Sequence, residues 1–211
     1  GSNDCGGGLV TLLEVFEFLQ AKEQTYNLIF LASAEEEVSG QGGFSAVLPL
    51  LPPVSVALVG EPTSMQPATS ERGLMVLDCT AYGKAGHAAR NEGVNAIYKA
   101  MEDIEWLKTY RFPKVSEQLG PVKTTVTVIQ AGAQHNVIPD QCKFTVDVRV
   151  NECYSNQEVL EIIQNHLHSE VNVRSTRLGS SSISQTHPLV KAALKLGLRP
   201  FGSPTLSDQA L

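Results

Sequence analysis

A mixed α/β chain, with a compact α+β module set into a parallel α/β domain, is what the 211 residues predict. Three observations carry the expectation. Helix-period and strand-like apolar runs alternate up to about residue 70, as in a parallel sheet covered by helices. From about residue 71 the patterns follow the order β-α-β-β-α-β, that of a ferredoxin-like split unit. The earlier rhythm resumes near "THPLVKAALKLG". The expected division is 1–70, 71–178 and 179–211, the first and last spans belonging to one α/β domain.

After "NDCGGG", Leu9, Leu12, Leu13, Phe16 and Leu19 fall at helical spacing and predict a helix packed on a sheet. "YNLIFLAS" is a short, nearly continuous apolar run, the pattern of a strand buried on both faces. A glycine-punctuated helical stretch over about 43–51 and the pair Pro52-Pro53 lead to a second such run, "VSVALVG". In the next part, "GLMVLDCTAYG" alternates like a half-exposed strand and "GVNAIYKAMEDIEWLKTY" is an amphipathic helix. "KTTVTVIQAG" and "CKFTVDVRV" are alternating strands, "NQEVLEIIQNHLH" is a second amphipathic helix, and "VNVRST" closes the module as a strand.

Composition narrows the function classes. With 42% hydrophobic and 18% charged residues the chain has the make-up of an ordinary soluble globular protein. A formal net charge of −6 without long charge runs argues against a nucleic-acid groove or an anionic membrane surface as partner. A small molecule or another protein is expected instead. Cys5, Cys79, Cys142 and Cys153 are widely spaced, without a C-x-x-C pair, so no disulfide scaffold or redox motif is expected. The N-terminus has no basic segment followed by an apolar stretch, which makes the cytoplasm the expected compartment.

The acidic residues stand where chemistry is expected. Ligands of an open parallel sheet gather at the carboxyl ends of its strands. Glu35, Glu36 and Glu37 follow "LIFLASA" directly, Glu61 follows "VSVALVG", and Asp4 stands just ahead of a glycine-rich turn and the first helix. Carboxylates crowded into a low-dielectric cleft persist ionised only beside a compensating cation, unless one takes up a proton. A metal centre is the simpler solution. Taken singly, each residue has a plainer reading: Asp4 as a helix cap, Glu61 as a turn residue, the glutamate run as a solvated cluster. Phosphate binding by "CGGG" at the helix start competes, but neither the G-x-G-x-x-G pattern nor a P-loop lysine is present.

Seven motifs in order, "NDCGGGLV", "FLASAEEEVSGQGG", "LVGEPTS", "GKAGHAA", "GVNAI", "HNVIPDQC" and "DVRV", resemble the acetylornithine deacetylase and succinyl-diaminopimelate desuccinylase family of co-catalytic zinc amidohydrolases. The likeness runs over essentially the whole chain and is closest to the acetylornithine deacetylase branch. It implies part of a zinc-aminopeptidase-like catalytic domain carrying an inserted ferredoxin-like lid, or dimerisation, domain. It also implies two zinc ions, with cobalt or manganese as substitutes, and a homodimer formed through the lid.

The site roles that follow are implied by the resemblance. Asp4 matches the aspartate that bridges the two ions, and Glu61 and Glu37 match one carboxylate ligand each. Glu36 matches the general base, with Glu35 in the place of the family's usual aspartate; three consecutive glutamates leave a shift of one residue open. A bridged pair of ions lowers the pKa of a shared water and polarises the scissile carbonyl. An unliganded carboxylate beside that water takes its proton and passes it to the departing amine. His87 matches a donor to the oxyanion that reaches into the site of the other protomer. Asn136 and Arg149 match positions that grip the substrate's carbonyl and carboxylate, and Ser207 with Asp208 matches loosely a small-polar-Asp signature near the substrate. The plain alternatives are a loop histidine, a turn asparagine and a strand-end surface arginine.

Two histidine ligands that the family carries, one upstream of Asp4 and one near the C-terminus, have no counterpart in residues 1–211. The chain is therefore expected to be part of a longer protein and to hold zinc weakly by itself. Of the other histidines, His166 and His168 sit two apart on a helix and do not share a face. His135 stands beside Asn136 and is in place to assist it, and His187, ahead of Pro188, is expected to cap a helix. The expected activity of the intact protein is release of an amino acid from its N-acyl derivative, as in arginine biosynthesis. N-acetylornithine, N-acetylcitrulline and N-succinylornithine are the expected substrates. A desuccinylase of the diaminopimelate route, a dipeptidase-like relative and a non-catalytic dimerising module of the same fold are the alternatives.

Overall fold

The computed structural model describes residues 5–38, 40 and 42–210. The chain opens with helix α1 (Gly7–Gln20), then passes through a short 3₁₀ turn (Glu36–Val38), α2 (Phe44–Val47) and a second 3₁₀ turn (Leu48–Leu50). Strands β1 (Ala68–Glu71) and β2 (Gly73–Tyr82) follow, with β3 (Gly86–His87) and α3 (Ala96–Thr109) after them. Next come β4 (Lys123–Ala131), β5 (Val137–Ile138), β6 (Gln141–Val150), α4 (Asn156–His166) and β7 (Glu170–Val173). The chain closes with β8 (Ser181–Ser182), α5 (Pro188–Lys195) and β9 (Phe201–Ser203).

The middle module is built as its periodicity requires. β2, β4, β6 and β7 form one antiparallel sheet in the order β4-β6-β2-β7. With α3 between β2 and β4, and α4 between β6 and β7, this is the ferredoxin-like arrangement. β2 and β6 pair over ten consecutive rows, from Gly73↔Val150 to Tyr82↔Gln141. Strict alternation sends Met75, Leu77 and Cys79 of β2, and Phe144, Val146 and Val148 of β6, to one face. That face meets Ala96, Ala100 and Leu107 of α3 and Val159, Leu160 and Ile163 of α4, and together they form the core. Both helices are capped from the sequence. Asn95 accepts from the Ile97 N–H, and Ser155 with Glu158 forms a reciprocal capping box; the Ser155 N–H, then the Lys114 ammonium, hold the Glu158 carboxyl down to about 2.

The flanking segments form a second, smaller sheet. β1 pairs in parallel with β9 (Ala68↔Phe201, Glu71↔Ser203) and antiparallel with β8 (Ser70↔Ser182). Residues from both sides of the middle module thus meet in one sheet, so the module is entered at 72–73 and left after β7. These strands were not expected: "ATSE", "SS" and "FGS" are short and polar, and have no apolar alternation to announce them.

Two expected strands are corrected. The runs 26–33 and 54–60 take no part in a strand ladder among the described residues, and Tyr26, Ile29, Val54, Val56 and Leu58 are exposed. An apolar run becomes a strand only when backbone N–H and C=O groups on its edges find partners. Here the parallel pairing passes through β1 and β9 instead. The helix expected ahead of the first run does form and touches it, with the Phe16 and Phe30 rings 5.8 Å apart, yet no α1 residue is buried.

All four cysteines are free. His187 caps α5 by accepting from the Leu189 N–H at 3.3 Å. His166 stacks on Trp106 at 4.7 Å between ring centroids, a contact that its helical spacing did not announce. Among the described residues no helix is long and apolar enough to cross a membrane.

Removing the Phe144 ring from the fully enclosed face is expected to lower the unfolding free energy by about 3–5 kcal/mol. Ser155→Ala is expected to cost about 1 kcal/mol. Urea titrations followed by the fluorescence of Trp106, the single tryptophan, test both. Burial, then Asp103 and Asp78, push the Cys79 thiol up to about 12. Cys79 is therefore expected to resist alkylation at pH 8 in the folded protein while the half-buried Cys153 is modified; peptide mapping after iodoacetamide treatment distinguishes them.

Candidate functional site

The start of α1 lies against the segment that leads to Glu61. There the Cys5 thiol donates to the Gly60 carbonyl at 2.5 Å, which brings the residue after Asp4 against the residue before Glu61. The two backbones touch there: a Cβ added at Gly8 would lie 3.3 Å from the Gly60 carbonyl carbon, so a side chain would push them apart by a few tenths of an ångström. Farther along α1, Phe16 meets Phe30.

Within the glutamate turn the three residues are not equivalent. Glu35 has φ +63°, and its backbone carbonyl accepts from the Gly40 N–H at 2.9 Å. Its carboxylate accepts from the Gly42 N–H at 3.0 Å. Glu35 therefore closes its own loop. Glu36 and Glu37 follow in the 3₁₀ turn, Glu36 half-buried and Glu37 exposed. Glu61 is half-buried, and its carbonyl accepts from the Thr63 N–H at 2.9 Å. Asp4 lies outside the described residues.

No three His, Cys, Asp or Glu residues converge as a metal site among the described residues. The expected bridging residue of a two-ion centre, Asp4, is outside that set.

The C-terminal segment joins the same region. Ser33 donates to the Asp208 carboxylate at 2.9 Å, which ties the approach to the glutamate turn to residue 208. Ser207 takes a different place from the expected substrate contact. It is buried, and both its hydroxyl (2.8 Å) and its backbone N–H (3.0 Å) donate to one oxygen of Glu71, while the Gln209 amide donates to the other at 3.1 Å. With its one hydroxyl proton committed to Glu71, Ser207 supports the β1–β9 sheet rather than an open face. Glu71 is the residue that sequence reasoning missed: it closes β1 at the entry to the middle module, and "TSERG" shows nothing of its burial.

Arg149 and His87 occupy opposite ends of the four-stranded sheet. Arg149 faces Leu74 on β2 and Lys123 on β4, next to the smaller sheet. Its Nε and an Nη hold both oxygens of Asp147 at 2.8 and 3.0 Å, a two-pronged pair about 70% buried on each side. Eight rows of the β2–β6 register separate Leu74 from Tyr82, about 27 Å, and His87 lies beyond Tyr82. His87 and Asn136 stand together at that far end. β3 pairs with β5 through His87↔Val137, and the Ala88 N–H donates to the Asn136 carbonyl at 2.9 Å. Both side chains are exposed, and His135, also exposed, adjoins them.

A ferredoxin-like module set between two parts of a mixed sheet, with a histidine–asparagine pair at its distal tip, defines a two-part α/β protein. A family model described as the peptidase dimerisation domain matches residues 69–174, more than half of the chain, and the protein belongs to the M20 peptidase family. Its fold is the M20 fold, part of the catalytic domain plus the dimerisation domain.

Acetylornithine deacetylase of Myxococcus xanthus is 33% identical over 138 residues, 62% of this chain and 36% of that protein. Succinyl-diaminopimelate desuccinylase of Roseobacter denitrificans is 25% identical over 229 aligned positions, 97% of this chain and 60% of that protein. The chain spans about half the length of the curated relatives it matches. The Bacillus subtilis YXEP protein, described as a dinuclear metal binding peptidase from the M20 family, superposes with a TM-score of 0.57 at 22% identity, over 84% of this chain and 50% of that one.

Burial holds the Glu71 carboxyl above its usual range, and the hydroxyl and N–H of Ser207 offset part of the rise. A raised folded-state value favours the protonated form on folding, so the stability it contributes is complete below the unfolded value and is lost as pH rises through the folded one. Glu71→Gln removes this loss. Its unfolding free energy is expected to fall less than that of the unsubstituted protein as pH rises from about 4.5 toward neutrality. Parallel pH profiles in urea titrations would contradict the assignment.

Proposed function

We propose that the intact protein hydrolyses the amide bond of an N-acyl amino acid in the cytoplasm, with N-acetylornithine or a close analogue such as N-acetylcitrulline or N-succinylornithine as substrate, in arginine biosynthesis. Membership in the M20 family and the likeness to acetylornithine deacetylases support the reaction class. In this reading Asp4, Glu37 and Glu61 supply carboxylate donors to a pair of zinc ions, whose ligand set other residues of the whole protein complete. Bound ions of this kind polarise a carbonyl and acidify a water.

The chain's own residues have these roles. Glu36 takes the proton of the attacking water and returns it to the leaving amine, which needs an acceptor that is not itself a ligand. Glu35 is directed elsewhere, its carboxylate accepting from the Gly42 N–H. Arg149 offers the substrate carboxylate the guanidinium N–H groups that Asp147 does not hold, and the pair with Asp147 fixes the direction of the fork. His87 supplies a donor to the oxyanion, with Asn136 beside it on the substrate carbonyl.

The observation that carries the reading is the separation of Arg149 from His87 along the sheet. An N-acyl amino acid is about three residue lengths, roughly 10 Å, while the register separates the two ends by more than twice that. One substrate does not touch both in a single protomer. The two residues serve one reaction only if His87 completes the site of a second copy, in a homodimer formed through the dimerisation domain.

Mixed dimers test this. Full-length Glu36→Ala and His87→Ala proteins are each expected to lose about 100-fold or more in kcat. A dimer containing one of each has one intact composite site and is expected to recover about half of the wild-type rate. Assays use N-acetylornithine, N-acetylcitrulline, N-succinylornithine and N-succinyl-diaminopimelate, with bound zinc measured on the same samples. Failure of the mixed dimer to recover activity refutes the shared site; cleavage of none of the four compounds refutes the substrate class.

A further inference from the structure

The distal tip holds more than a histidine and an asparagine. Residues 83–94 form a loop that the chain closes on itself. Lys84 and Val94 exchange both backbone hydrogen bonds at 2.8 Å. Gly93 adopts φ +87°, and a Cβ placed on it would sit 2.8 Å from the Lys84 carbonyl, so the closure depends on glycine there. The Ala88 N–H is held by the Asn136 carbonyl. This frame fixes the backbone of His87 from outside.

Inside the frame two further bonds reach His87 itself. The Ala89 N–H donates to its Nδ1 at 3.2 Å, and its own backbone N–H donates to Oε1 of Glu92 at 3.2 Å. A neutral imidazole whose Nδ1 accepts carries its proton on Nε2. The ring is therefore set as a donor pointing away from its own loop, the tautomer that an oxyanion requires and the opposite of what a general base at Nε2 would need. Glu92 is exposed and also faces the Arg90 guanidinium at 3.9 Å, a surface ion pair that contributes little by itself. Its consequential contact is with the His87 peptide.

We propose that Glu92 is a positioning residue. By anchoring the His87 backbone N–H from across the loop, it keeps the Ala89 N–H in line with Nδ1 and so presets His87 as an Nε2–H donor. Nothing in the reaction touches Glu92 directly; it acts through the ring. The proposal rests on the reading of His87 as an oxyanion donor for its functional consequence, and on the loop geometry alone for its structural one.

The test uses the full-length dimer and two variants. In Glu92→Ala the anchor is lost; in Glu92→Gln the side-chain carbonyl still accepts the His87 N–H while the ion pair with Arg90 is removed. The structural readout is the long-range ¹⁵N–¹H spectrum of the histidine side chains above their titration range. Wild type and Glu92→Gln are expected to show His87 as a single Nε2–H tautomer, and Glu92→Ala a mixture.

The functional readout is the split between kcat and KM on the best N-acyl substrate. Glu92→Ala is expected to lose about tenfold in kcat with KM within twofold, since a preset donor acts on the transition state. Glu92→Gln is expected to stay within about twofold, and Glu92→Ala combined with His87→Ala to be no slower than His87→Ala alone. A wild-type tautomer in Glu92→Ala, or an additive loss in the double variant, overturns the proposal. A protein that cleaves none of the substrates refutes the proposed function, and the tautomer comparison still decides the role of Glu92.

Discussion

The unbroken ten-row pairing of β2 with β6 is the constraint on which the rest of the molecule depends. It carries the core, because alternation along both strands puts Met75, Leu77, Phe144, Val146 and Val148 on one face with no slip available. A shift by one residue would turn every one of those side chains to the solvent. The same pairing is a ruler. It sets the end that bears Arg149 a fixed distance from the end that bears His87, and β4 and β7 are added on its two sides without altering that length.

The smaller sheet determines where the ruler is mounted. β1 leads into β2 through Arg72, whose guanidinium is bound by the Pro121 carbonyl at 2.8 Å and by the Leu119 carbonyl. On the return, the Asn156 amide holds the Thr176 and Leu178 carbonyls at 3.0 and 2.8 Å, and the Leu178 carbonyl also accepts from Leu74. Ser70 donates to Gln118 at 2.6 Å, so the loop before β4 reaches down onto β1. With Glu71 buried between Ser207 and Gln209, the crossing is a set of polar contacts rather than a bare hinge. Through Asp208 and Ser33 the same network continues to the glutamate turn.

The two ends of the module thus differ in kind. The base is tied by hydrogen bonds to the flanking segments, buried ones from Ser207 onto Glu71 and an exposed one between Ser33 and Asp208. The tip is an exposed pair of short strands whose hydrogen bonds are spent on holding His87 and Asn136 outward. With the ten-row strand pair between them, a composite site assembled from two copies would depend on how the dimer docks and on the internal order of the tip. Glu92, Ala89 and Gly93 supply that order locally.

The sequence by itself determined the middle module, because both strand and helix periods are written there over ten or more residues and the caps at Asn95 and Ser155 mark where the helices start. It also marked the acidic stretches and the His87 and Asn136 motifs as chemistry. Tertiary structure alone decided the rest. Apolar runs at 26–33 and 54–60 have the composition of strands, but a strand is a relation between two backbones, and the parallel pairing went to "ATSE" and "FGS". Three identical glutamates cannot be told apart by composition; the loop separated Glu35 by giving its carboxylate a backbone N–H. Ser207 looked like a ligand contact and is a buried donor to Glu71, because burial and the direction of a hydroxyl are properties of the packed chain. The separation of Arg149 from His87 belongs to the register of β2 on β6, a quantity that no single stretch of residues contains.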